Sequence, residues 1–399
     1  MPRRAVALAT LVAVLATTAG TACGPRSAAP PTTMVPLIPQ EQLPTTSAAP
    51  TTTLVSGDEP AVALVEQIPE LECAYTPANT GGEVSFVVGD RLFSVAPDGT
   101  QIRCLTALDD TQRGPVRWSP TGERVLVNSA TVIDADGSRE TGFKTDNTRV
   151  RWVWPGGDAL IAPTSSNNTL VRRDAVTAER SEVTFLWQTE LAISHPAGTK
   201  LLASGLSPDG ERGVFIAGAD GSDWATVALL AEDDTAVVDL AVDAAGTDLY
   251  VVTTDLDRYE IRRVTFPTLA LSEVDSDQEP IGDLVVGPVS KTLAWRVGLC
   301  NSTAATRVLD ERSGQPVTVG EVGPLDGLSV GPVGWLDASR LVVVARPLGC
   351  SGPGDLWIWN ALDGSASLLI RAVEFPAVRV SAQRATPVSI TPDAVIPAL

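Results

Sequence analysis

From Glu83 onward, apolar positions alternate with polar ones or gather in runs of four to six, split by Gly, Pro, Asp and Asn. The i, i+3, i+4 spacing of amphipathic helices is almost absent, so the pattern predicts many short strands joined by tight turns. One phrase recurs: an apolar strand, a small or proline-containing turn, a polar pair, then another apolar strand. It occupies 116–126, 152–160 and 193–202, with weaker copies at 241–249, 286–293 and 333–341.

The matched turns fall at 120, 155, 196, 244, 288 and 336, a mean step of about 43 residues. A second series of turns runs in another phase: Asp98-Gly99, Asp136-Gly137, Asp220-Gly221, Ser313-Gly314 and Asp363-Gly364. Asp-Gly suits a hairpin because both central residues of a type I′ turn need positive φ. Two phases per repeat imply several strands per unit. Four strands in roughly 40–45 residues make one propeller blade. A stack of separate β-sandwiches would need about 100 residues per unit.

Trp118-Ser119-Pro120-Thr121-Gly122 and Leu206-Ser207-Pro208-Asp209-Gly210 resemble the W-S-P-D-G turn of TolB-type, WD-like β-propeller repeats. The resemblance spans about 80–390 and implies an all-β propeller. It is a likeness of repeats. The amino-terminal domain of TolB itself has no counterpart in the sequence, so a Tol–Pal role does not follow. Complete blades are expected at 114–146, 148–186, 187–232, 236–277, 280–322 and 327–373. Strands at 84–88, 91–95 and 100–105 lack a first strand, and 378–381 would supply it. The expectation is therefore seven four-stranded blades, the carboxy-terminal strand closing the first, with six or eight as alternatives.

The amino terminus has a different pattern. Arg3 and Arg4 precede an apolar run over 5–16, broken only by Thr10, and then Gly20-Thr21-Ala22-Cys23. This is the order of a signal peptide, and the run is too short to span a bilayer, which takes about 20 residues. The segment resembles the bacterial lipobox, which implies diacylation of Cys23; Gly20 departs from the usual aliphatic residue. Free secretion is the alternative. Residues 24–60 hold eight Pro and seven Thr without strand or helix periodicity, as expected of a semi-extended tether. The expected organisation is a lipoprotein signal peptide (1–22), lipidated Cys23 with a Pro/Thr-rich tether (23–60), a lead-in segment (61–79), the propeller (80–390) and a tail (391–399). No other segment is apolar enough to cross a membrane. The chain is thus expected on the outer face of the cell membrane, held by the lipid on Cys23.

The 399 residues carry 29 Lys+Arg against 48 Asp+Glu, a formal charge of −19. Cleavage before Cys23 would remove two arginines and no acid, giving −21. This balance argues against nucleic acid as a partner, because phosphate binding needs clustered Lys and Arg. Excluding Cys23 leaves Cys73, Cys104, Cys300 and Cys350, an even number that suggests disulfides in an exported chain. Cys300 lies 12 residues after Pro288 and Cys350 lies 14 after Leu336. Both follow the same strand of adjacent repeats and are expected to pair, leaving Cys73 to Cys104. A metal site is the runner-up, but there is no C-x-x-C and no nearby His.

Candidate chemistry is sparse. His195, the one histidine, sits in a repeat turn, which favours a structural role. Asp134, Asp136 and Gly137 hint at a calcium loop, but a hairpin turn uses the same residues. Asp233-Asp234 and the Asp255–Asp257 pair read as loop charges. There is no G-x-S-x-G elbow, P-loop or dinucleotide fingerprint. Trp152 with Trp154, and Trp357 with Trp359, share a face by period-two alternation. They read as blade core or, less readily, as a sugar-stacking platform. Asp310-Glu311-Arg312-Ser313-Gly314 and Asn360-Ala361-Leu362-Asp363-Gly364 loosely echo quinoprotein turns. The favoured function is binding of an envelope protein or glycan by a monomeric propeller, with no catalytic residue, metal or cofactor assigned. The alternatives are a propeller enzyme acting on carbohydrate or carrying a quinone, and an accessory to a sensory or assembly system.

Overall fold

The computed structural model describes residues 71–73, 82–143, 149–164, 166, 169–230, 235–255, 257–288, 292–310, 314–321, 323–380, 388–390 and 396–399. The signal segment, Cys23 and the tether lie outside these residues, as do Asp233, Asp234 and 311–313. No helix among them is long and apolar enough to cross a membrane.

The described chain is all β. Its first three strands are β1 (Glu83–Val88), β2 (Arg91–Val95) and β3 (Arg103–Ala107). Five separate four-stranded sheets follow. The first holds β4 (Val116–Trp118), β5 (Arg124–Val127), β6 (Thr131–Asp134) and β7 (Glu140–Gly142). The second holds β8 (Arg151–Trp152), β9 (Ala159–Pro163), β10 (Leu170–Asp174) and β11 (Arg180–Val183). The third holds β12 (Gln188–Ser194), β13 (Lys200–Leu206), β14 (Arg212–Gly218) and β15 (Ala225–Leu229). The fourth holds β16 (Ala236–Val242), β17 (Asp248–Thr254), β18 (Tyr259–Thr265) and β19 (Ala270–Asp277). The fifth holds β20 (Ile281–Val286), β21 (Leu293–Val297), β22 (Ala305–Asp310) and β23 (Gln315–Thr318). The chain closes with β24 (Ser329–Trp335), β25 (Arg340–Arg346), β26 (Gly354–Asn360) and β27 (Ala366–Arg379). Every pairing between named strands is antiparallel between neighbours, as in propeller blades.

The blade count corrects the sequence expectation. Seven separate four-stranded blades do not form, nor do six or eight. Five such sheets stand alone, and the remaining strands make one seven-stranded sheet in the order β24-β25-β26-β27-β1-β2-β3. The reason lies in β27. Its early residues pair with β26, Ala366 facing Trp359, and its late residues pair with β1, Val378 facing Val84. The expected break between 373 and 378 is instead a bend. Ala372 and Phe375 adopt φ of 54° and 47°, and the ladder shifts register across Phe375-Pro376. A bulge is one of the few places where a strand accepts proline, so the strand bends without ending.

First strands line the axis. β8, β12, β16, β20 and β24 are each in contact with the next, and β27 touches both β24 and β4. Between β4 and β8 the Trp152 indole N–H donates to the Arg117 carbonyl at 3.0 Å. Both faces of the inner and middle strands such as β13, β14, β17 and β25 are covered, which explains unbroken apolar stretches such as Leu201-Leu202-Ala203. The core is a series of clusters, each shared by two neighbouring sheets. One combines Leu202, Val214 and Val227 with Leu240, Leu249 and Val264. Leu399 is buried in that cluster, where the Leu229 amide donates to the Pro397 carbonyl at 3.0 Å.

Candidate functional site

The turn motif explains several residues singled out in the sequence. Ser119, His195 and Asp243 occupy the same repeat position: each backbone N–H donates across the turn to Arg124, Lys200 and Asp248 respectively. Each side chain also accepts a backbone N–H of its own turn, from Arg124, Ala197 and Thr247. His195 is fully buried, with Nδ1 accepting from Ala197 at 3.1 Å and Nε2 donating to the Gly246 carbonyl at 2.9 Å. Both ring nitrogens are used by one neutral tautomer. Burial lowers the imidazole pKa below its usual 6.5.

The other candidates resolve similarly. Asp136 Oδ1 accepts the Ser138 amide at 2.8 Å within a hairpin turn, and Asp255 Oδ1 accepts the Arg258 amide at 3.0 Å. Among the described residues no three of His, Cys, Asp and Glu gather as a ligand set. Trp152 and Trp359 are buried in seams between sheets, and Trp357 packs against the second of these clusters. Trp154 lies in a turn and lines the narrower end of the channel. Neither pair offers two exposed rings as a platform. Cys73 is bonded to Cys104, and Cys300 to Cys350. The first pins a short bridge onto β3; the second ties the β21–β22 loop to the β25–β26 loop.

Among the described residues the first strands enclose a concave channel. A cavity of about 540 Å³ is enclosed by β4, β8, β16, β20, β24 and β27. Two smaller spaces of about 250 Å³ continue it toward the carboxy-terminal ends of the first strands, sharing Arg151. The disulfide stands at the wider end, where Cys350 lines the cavity. Leu299 and Leu348, beside the two half-cystines, are exposed by 46% and 61%, so the mouth has apolar lips.

Four arginines and two aspartates line this cavity. Bulges aim some of them. The β16–β17 ladder shifts between Val237 and Asp239, and the β20–β21 ladder between Gly282 and Val285, where Asp283 takes φ of 53°. A bulge inserts a residue and re-aims side chains on a strand. Asp239 then accepts the Leu240 amide at 2.9 Å and, across to β20, the Leu284 amide at 3.2 Å. Burial raises its pKa, while Arg151 and these amides pull the other way. Asp283 is held by Arg296 at 2.6 Å.

The other arginines are less well served. Burial pushes Arg117 down to about 10, with Arg151 adding to the fall and Asp239 opposing it. Arg151 is lowered by burial, against the pull of Asp239, and Arg346 by burial, against that of Asp283. Arg346 Nε donates to the Gly352 carbonyl at 3.0 Å, and Arg151 Nη1 to Val150 at 3.3 Å. Arg117 Nη1 is buried without a hydrogen-bond partner. The sequence carried little signal for this group, because arginine at an alternate strand position reads as a solvent-facing residue.

No protein-family model matches the chain. No curated protein matches it either. Solved structures do. The Cps50 (Swd1) β-propeller domain of Myceliophteria thermophila superposes with a TM-score of 0.50 at 14% identity, over 71% of this chain and 99% of that one. A provisionally assigned 6-phosphogluconolactonase from Bacteroides fragilis gives 0.50 and 14%, over 76% and 99%. TolB from Acinetobacter baumannii gives 0.45 and 13%, over 80% and 70%. At these identities the likeness concerns architecture alone: the chain has the fold of a β-propeller.

Proposed function

We propose that this chain is an envelope-tethered binding protein. The lipid on Cys23 anchors it to the outer face of the cell membrane, 24–60 spaces it from the surface, and the wider mouth of the channel receives its ligand. The carrying observation is the cavity itself, walled by strands from four of the separate sheets and the seven-stranded one, with three arginines not ion-paired among the described residues. Apolar lips beside a charged, concave centre have the composition of a recognition surface. The lipobox-like segment and the Pro/Thr-rich stretch support the anchoring half of the reading.

Two experiments test it. Cys23→Ser should move the chain from the membrane fraction to the soluble extracytoplasmic fraction; retention in the membrane overturns the anchor. A photo-crosslinker at Leu348 should give one discrete adduct in cells. The same group at Leu362, exposed in the β26–β27 turn at the opposite end of β26, should not. Identical labelling at both positions, or a turnover activity or bound chromophore in the purified chain, overturns the binding role.

A further inference from the structure

We infer that the central cavity binds a small oxyanion, a compact carboxylate- or phosphate-bearing molecule, through Arg117, Arg151 and Arg346. This rests on the binding role proposed above and adds the chemistry of the ligand.

The cavity is lined by four guanidinium groups and two carboxylates, on a chain whose formal charge is −19. Its carboxylates are already engaged. Asp283 pairs with Arg296, and Asp239 spends its oxygens on two backbone amides. Among the described residues Arg117, Arg151 and Arg346 have no carboxylate within ion-pair distance. Arg117 and Arg151 stand on neighbouring first strands, where their like charges disfavour one another. A buried donor left unmade, as Arg117 Nη1 is, costs about 1–3 kcal/mol. A bound anion would remove both penalties.

Other ligand classes fit less well. A cation would meet the net positive lining. A neutral ligand could accept from the guanidinium donors but would leave their charge uncompensated. The planar guanidinium fork matches the two oxygens of a carboxylate or phosphate. A cavity of about 540 Å³ is within the range for small-molecule sites. Because the rest of the chain is acidic, long-range attraction contributes little, and selectivity rests on short-range contacts that salt weakens only partly.

The test uses the full chain purified in detergent. Citrate, inorganic pyrophosphate and glucuronate are the probes, with glucose and choline chloride at matched ionic strength as controls. At least one anion should bind saturably by calorimetry and raise the melting temperature, and the controls should do neither. The affinity should fall at least about tenfold in Arg117→Met and in Arg346→Met, the loss of a charge-assisted pair. Arg117→Lys, which keeps charge but loses the fork, should recover part of it. Preference for citrate or glucuronate identifies a carboxylate source, and preference for pyrophosphate a phosphate. The inference is overturned if none of the three anions binds saturably, or if both Met variants bind as the parent does. In that event intact cross-linking at Leu348 would preserve the binding role, and its loss as well would end both.

Discussion

The single histidine makes a clean reporter. His195 is buried in its neutral form, and its folded pKa lies below its usual 6.5. The unfolded chain therefore takes up the proton first on acidification. The contribution to stability is complete above about 6.5 and declines as pH falls from there toward the folded pKa. Proton titration of the one imidazole by NMR should give a midpoint below 6.5; a midpoint at or above it sinks the assignment. Its partner Gly246 has φ of 74°, and a Cβ there would run into the imidazole ring. Gly246→Ala should cost more than about 1 kcal/mol in chemical denaturation. The structural role of His195 was legible from its place before Pro196 in the repeat. The arginines of the channel were not. Arg117 and Arg151 stand beside Trp118 and Trp152 in short strands of neighbouring sheets, and nothing local marks them as lining one cavity.

Hairpins repeat a three-residue device. Asp98-Gly99-Thr100, Asp136-Gly137-Ser138, Asp220-Gly221-Ser222 and Asp363-Gly364-Ser365 each have the Asp carboxylate accepting the amide two residues on. Hydrogen bonds from the Thr or Ser hydroxyl and amide lower all four carboxyl pKa values below 3.8. The turns thus keep their bonds above that range and lose them as pH falls through the folded values. Carbon-13 titration of labelled aspartate should show these four protonating below the ordinary aspartate value of about 3.9; midpoints at or above it contradict the assignment. The turns were readable because a fixed geometry demands fixed residue types. The disulfides were readable for a related reason, since repeat phase put Cys300 and Cys350 on matching loops. Replacing both with Ser should lower stability by about 2–4 kcal/mol, measured by urea unfolding. What alternation could not convey was the bulges. An extra residue at Val238 or Asp283 reverses which side chains face the axis, and a period-two reading runs straight through it.

The ring is held shut at one place by ionic contacts. Glu83, fully buried, accepts Arg103 at 2.9 Å and Arg379 at 3.4 Å, so β1, β3 and β27 meet at one carboxylate. Arg379 also lies 5.4 Å from the Trp118 ring, and the Trp118 indole donates to Ser85 at 3.0 Å. Removing one partner of a buried pair strands the others, so Glu83→Ala should cost about 3–5 kcal/mol; a loss under about 1 kcal/mol would show the cluster to be dispensable. The repeat made the propeller legible, yet it suggested one blade too cleanly separated from the next. The repeat left a break between 373 and 378, and only the pairing of β27 on both sides shows that it is a bend. That unbroken strand also sets an order of assembly. Ser85 bonds to Ala377 across 292 residues, so β1 has no partner on its inner edge until nearly the whole chain has been made. The other sheets close with neighbours in sequence and can form as they emerge. The final step of folding is then a long-range one, slow by its loop-closure entropy, during which a bare strand edge is open to the wrong chain.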